Sequence, residues 1–170
     1  MGKISERTKT LVQECHSELK LRTYVQLKSQ LIQEPYLDHG GYLARAVMFS
    51  LRSSSCRLRI ETGRRRRPRE KEEERVCILC ERKEVESEVH FVVSCEKYTD
   101  LRFSLYKKVF EISKGLLDLS KETDKFKIFQ IVVGDGWGED AERKQIFQAS
   151  LNFVYLAMKR RSQVLRDRIV

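Results

Sequence analysis

A chain of 170 residues can form one domain with a real core or two small lobes around a metal, and 41% hydrophobic content with eight Phe and six Tyr argues against wholesale disorder. The net charge of +9 suggests an acidic partner, but its distribution says more than its total. Residues 1–69 hold fifteen Lys/Arg against six acids, residues 70–100 five against ten, and residues 101–170 fourteen against nine.

In chain order, Leu21, Tyr24, Val25, Lys28, Leu31 and Ile32 follow a helical period. They predict a first helix from about residue 5 to 33, ending before Pro35 because the residue preceding proline avoids the α region. Gly40-Gly41 marks a turn, and Leu43, Ala46, Val47 and Leu51 predict a second amphipathic helix. Cys56-Arg57-Leu58-Arg59-Ile60-Glu61 alternates apolar with polar, which suits a short extended piece, although so few residues do not separate strand from helix. Next comes the basic run Arg64-Arg65-Arg66-Arg67-Pro68-Arg69, followed at once by Glu70-Lys71-Glu72-Glu73-Glu74. It reads either as a nuclear-localisation or phosphate-binding patch or as a solvated linker whose halves neutralise each other.

Cys77, Cys80, His90 and Cys95 then set out four metal ligands as C-x2-C-x9-H-x4-C. Two thiolates three residues apart fit one tight turn, and 88–95 has the pattern of a short helix able to present His90 and Cys95 from one side. Three thiolates and an imidazole leave no position for water, so the site reads as structural Zn²⁺. Buried free cysteines are the plainer alternative. Beyond the cluster, Tyr98, Leu101, Leu105, Val109 and Ile112 space a third helix that stops at Gly115, a candidate αL cap. Phe126, Phe129, Ile131, Val132 and Val133 form a compact buried segment. Gly134 to Gly138 is a loop whose spacing matches no phosphate-binding fingerprint. A terminal helix starts near Glu139, with Phe147, Leu151, Val154, Met158, Leu165 and Ile169 on one stripe and Lys159, Arg160 and Arg161 near its end.

The expected fold is therefore mainly α: a helical domain around one structural zinc site, with at most one short hairpin near 56–62 and Val76-Cys77-Ile78. Its provisional parts are a basic helical segment (1–69), a zinc-binding segment with its following helix (70–115) and C-terminal helices (116–170). No paired aspartates, H-E-x-x-H or activated nucleophile stand out, so no enzyme activity and no small-molecule substrate are expected. Cys15, His16 and His39 read as structural or solvated. The opening Met1-Gly2-Lys3-Ile4-Ser5-Glu6 has no apolar run and fails the myristoylation pattern, and nothing approaches a membrane span. An intracellular protein, nuclear or cytoplasmic, is expected, with no membrane partner.

Cys77-Ile78-Leu79-Cys80, Glu86-Ser87-Glu88-Val89-His90-Phe91 and Cys95-Glu96-Lys97-Tyr98 resemble the zinc-binding region that follows the reverse transcriptase domain in animal non-LTR retrotransposon polyproteins. The likeness extends through Leu21-Arg22-Thr23-Tyr24, Glu34-Pro35-Tyr36-Leu37 and the stretch from Arg52 to Gly63, and spans about residues 18 to 165. Glu96 departs from the proline that often follows the last cysteine, and the Tyr/Phe-x-Asp-Asp polymerase motif is missing. The resemblance implies an isolated, non-catalytic piece that binds RNA or DNA. Because Glu81, Glu84, Glu86 and Glu88 crowd the ligands, phosphate contact is expected from Arg64, Arg65, Arg66, Arg67, Arg69, Lys159, Arg160 and Arg161. The alternative is a zinc-stabilised module that binds another protein.

Overall fold

The computed structural model describes residues 21–27, 34–134 and 136–168, which are mainly α. Among them the only extended pairing is an isolated antiparallel bridge between Val76 and Val85. Of the expected 5–33 helix, α1 (Arg22–Leu27) falls within the described residues. The rest of that helix, with Cys15 and His16, lies outside them.

Helix α2 (Tyr42–Arg52) starts after the extended Gly41 and buries Met48 and Leu51, while Tyr42, Leu43 and Phe49 remain exposed. Arg52 at its end is buried as well. Its guanidinium donates to the carbonyls of Val133 and Gly134, pairs with Glu34 at 2.7 Å and lies 5.3 Å from the Tyr36 ring centre. A cation placed on carbonyls at a helix C-terminus satisfies acceptors that the helix cannot.

The 56–62 stretch is not extended. It forms a single helical turn, α3 (Arg59–Thr62), because the Glu86 carboxylate accepts the Arg59 N–H at 2.7 Å and the Thr62 N–H donates to Leu58 at 2.9 Å. Cys56, Leu58 and Ile60 are all buried, so the alternation marked core positions rather than a strand.

Helix α4 (Thr99–Ile112) ends where Lys114 and Gly115 turn left-handed, at φ 52° and 83°, and the Gly115 N–H returns to Phe110 O at 2.9 Å. The apolar run after Asp124 is helical: α5 (Lys125–Val133) is capped by the Asp124 carboxylate, which accepts the N–H groups of Phe126 and Lys127. Helix α6 (Asp140–Asp167) opens with a reciprocal cap between Glu139 and Glu142. It lies against α2 on one side and α4 on the other. Ile146, Phe147, Leu151, Phe153, Val154 and Ala157 are buried there, while Met158 and Leu165 are partly covered.

One apolar cluster draws on residues from Leu27 to Ala157, including Cys77 and Cys95, with Phe91 edge-on to Tyr98 at 4.9 Å. No described helix is long and apolar enough to cross a membrane.

Candidate metal centre

The Val76–Val85 bridge is the base of a minimal hairpin. Cys77 N–H donates to Glu84 O at 2.8 Å and Glu86 N–H to Arg75 O at 2.9 Å, which returns the chain within a few residues. Lys83 takes a left-handed φ of 53° to complete the turn. Cys77 and Cys80 ride on this turn, and the Leu79 and Cys80 N–H groups point at the Cys77 sulfur. The Arg82 and Lys97 N–H groups do the same for Cys80 and Cys95. Amide dipoles converging on sulfur favour its thiolate form.

The other two ligands come from a wider coil than expected. His90–Ser94 is a π-helical turn, in which Cys95 N–H donates to His90 O at 2.8 Å. On an α-helix, residues five apart diverge by about 140°. The five-residue hydrogen bond of the π turn brings His90 and Cys95 toward the same side, so the local distortion delivers the ligand pair.

The four ligand atoms lie within 4.8 Å of one another. Cys77 Sγ and Cys95 Sγ are 3.9 Å apart, and Cys80 Sγ lies 3.4 Å from His90 Nε2. A tetrahedron with metal–sulfur bonds of about 2.3 Å has edges of about 3.8 Å, so the cluster is already close to metal-binding size. His90 Nδ1–H donates to Glu84 Oε2 at 2.9 Å, which leaves Nε2 as the ligating nitrogen.

The protonation preferences of the four groups fit the same picture. A hydrogen bond from the Cys95 thiol lowers Cys77 to about 3, and the donating Cys95 is pushed up by the same bond. Burial raises Cys80. Burial opposes the His90 cation, but hydrogen bonds to Cys77 and Glu84 hold its pKa above the ordinary value. The four groups share protons where a cation would replace them, so metal binding releases protons.

Buried ion pairs surround the cluster. Glu86 is bidentate to Arg161 of α6 at 2.9 and 2.8 Å, and both Glu88 oxygens accept from the single Nη2 of Arg22 of α1 at 2.9 and 2.8 Å. Glu61, fully buried, meets Arg22 at 3.1 Å and Arg64 at 2.6 Å. Arg102 of α4 donates to Val92 O and Cys95 O, tying that helix to the ligand turn. These carboxylates therefore do more than crowd the cluster: Glu84 orients His90, Glu86 holds the buried Arg161 and Glu88 holds the partly buried Arg22. Glu81 alone of the four is fully exposed.

The eight basic residues expected at phosphate meet different fates. Arg161 is buried against Glu86 and unavailable at the surface. Arg64 is engaged by Glu61, and Arg160 by Asp100 (2.5 and 2.8 Å) and Lys97 O. Arg65 and Arg66 are exposed beside Glu61 and Glu70, at 3.6 and 3.0 Å. Arg67, Arg69 and Lys159 are exposed and form no ion pair among the described residues. Cys56 stands apart from the cluster, its thiol directed at Glu88 and pushed up to about 12 by burial. Glu84 and Arg102 gave no sequence signal, since neither stands at a ligand spacing.

No family model matches this chain, and no match was found among the curated proteins or the solved structures compared with it.

Proposed function

We propose that the chain is a non-catalytic Zn²⁺-binding module that holds nucleic acid on basic surface flanking the metal, never at the metal itself. A Cys₃His set with no open position suits structural zinc. With Zn²⁺ bound, the three thiolates leave the centre at net −1, which repels phosphate. The observation that carries the nucleic-acid reading is the division of charge. The buried carboxylates around the cluster are engaged by internal arginines, while Arg67, Arg69 and Lys159 face solvent with no acidic partner among the described residues. The resemblance to the zinc-binding region downstream of retroelement reverse transcriptases supports the same reading. Titrating the zinc-loaded chain with RNA and DNA at several salt concentrations tests it, because phosphate contacts appear as a linear fall of log affinity with log salt. Absence of binding at low salt would transfer the reading to a protein-interaction module, which the exposed Phe103, Phe110 and Leu116 around α4 favour.

A further inference from the structure

The geometry points to the furrow between α2 and α6 as a track for single-stranded nucleic acid, an inference that rests on the nucleic-acid reading above. The furrow is continuous. Its first part is lined by Gly41, Tyr42, Gln148, Asn152 and Tyr155. It passes Leu43, Val47, Met158 and Lys159, and ends at Ser50, Arg57, Ser162 and Arg166. From Gln148 to Arg166 a helix rises about 27 Å, enough for several nucleotides.

Its charge is one-sided. The chain has 25 acidic residues, yet none occurs from His39 to Ile60 or from Arg143 to Arg166, the two segments that build the furrow. Arg57, Lys159 and Arg166 line it, and none of the three forms an ion pair among the described residues. Among the described residues, Arg166 bonds the neutral Gln163, at 2.6 Å. The Arg64–Arg67 run contrasts sharply, because Glu61 and Glu70 sit against three of its four members.

The remaining lining selects the strand form. Helices packed about 8–10 Å apart leave a furrow one side-chain layer wide, which admits a base and its backbone but not a duplex. Tyr42, 75% exposed, and Tyr155 beside Lys159 offer ring faces for stacking. Gln148 and Asn152 offer amides to base edges and sugars, while the Ser50 and Ser162 hydroxyls, whose protons go to the Val47 and Met158 carbonyls, can still accept. The apolar floor of Leu43, Ala46, Val47 and Met158 would also suit an acidic amphipathic helix, which is the competing occupant to test.

The test is fluorescence anisotropy of the zinc-loaded full chain with labelled mixed-sequence RNA and DNA strands, the corresponding duplexes, and an acidic amphipathic peptide. Five proteins are compared: wild type, Arg57→Gln/Lys159→Gln/Arg166→Gln, Arg64→Gln/Arg65→Gln/Arg66→Gln/Arg67→Gln, Tyr155→Ala and Tyr155→Phe. Zinc content and melting temperature verify folding, and Tyr155→Phe, which keeps the ring, accompanies Tyr155→Ala. The furrow variant is expected to flatten the single-strand salt slope by about two units, since each contact contributes about 0.7. Tyr155→Ala is expected to weaken strand binding about tenfold while Tyr155→Phe retains it. Strand binding that survives the furrow substitutions, or a clear preference for duplex, overturns the furrow and leaves the broader nucleic-acid reading standing. Failure of every oligonucleotide at low salt overturns both. Furrow-dependent binding of the acidic peptide alone assigns the surface to a protein partner.

Discussion

Behind the metal turn, buried carboxylates are matched by arginines; along the outer side of α2 and α6 the charge is one-signed and faces solvent. Glu61, Glu86 and Glu88 are buried, and each is matched by arginines from other parts of the chain. On the furrow, Arg57, Lys159 and Arg166 have no such partners among the described residues. Net charge counts both populations equally, yet only the second is free to meet a ligand. The difference teaches that arginines in the two regions perform separate tasks: those near the metal fix how the turn sits against α1, α3 and α6, while those on the furrow create a surface potential.

The sharpest way to break this comparison is to remove the metal. Cys77→Ser or chelation is expected to reduce bound zinc well below one per chain and lower the melting temperature by about 10 °C or more, because site energy is coupled to folding. Metal analysis with a thermal melt reads this, and an unchanged melt after chelation would refute the zinc-stapled fold. Next in size is Glu86→Gln. It leaves the Arg161 guanidinium buried beside a neutral amide and is expected to cost about 3–5 kcal/mol in urea unfolding, whereas Glu81→Gln changes stability by under about 0.5 kcal/mol. Equal effects of the two would erase the distinction between inward and outward acids. Glu84→Ala removes the acceptor that orients His90, and metal affinity measured by competition with a chromophoric chelator is expected to fall about 10- to 100-fold.

A small effect is also expected for Asp100→Asn. Arg160 holds the Asp100 carboxyl down to about 2, but the pair is largely exposed, so solvent screening limits the loss to under about 1 kcal/mol. Because the folded-state pKa is depressed, this contribution is present above the ordinary carboxyl range and fades as pH falls from about 4 toward 2. A wild-type-minus-variant difference of several kcal/mol near neutral pH would place Arg160 with the buried arginines instead.

The clustering of Cys77, Cys80, His90 and Cys95 was legible because metal chemistry restricts both residue type and spacing. Helices α2, α4 and α6 were legible because a buried stripe must recur with the helical period. Short range limits both arguments. The π turn depends on a five-residue hydrogen bond that leaves no mark in composition, and α3 forms where Glu86, 27 residues away, accepts the Arg59 N–H.

The sequence by itself determined that the chain is helical, that it gathers three cysteines and a histidine at metal-ligand spacing within nineteen residues, and that its positive charge is segregated from that cluster. Tertiary structure alone decided which charges count. Arg161 and Lys159 are two residues apart on one helix and read alike, yet one is buried against a carboxylate 75 positions away and the other faces solvent. That choice is made by burial, because a charge removed from water requires a partner held by the rest of the fold, and sequence spacing does not reveal which residues the fold will bring together.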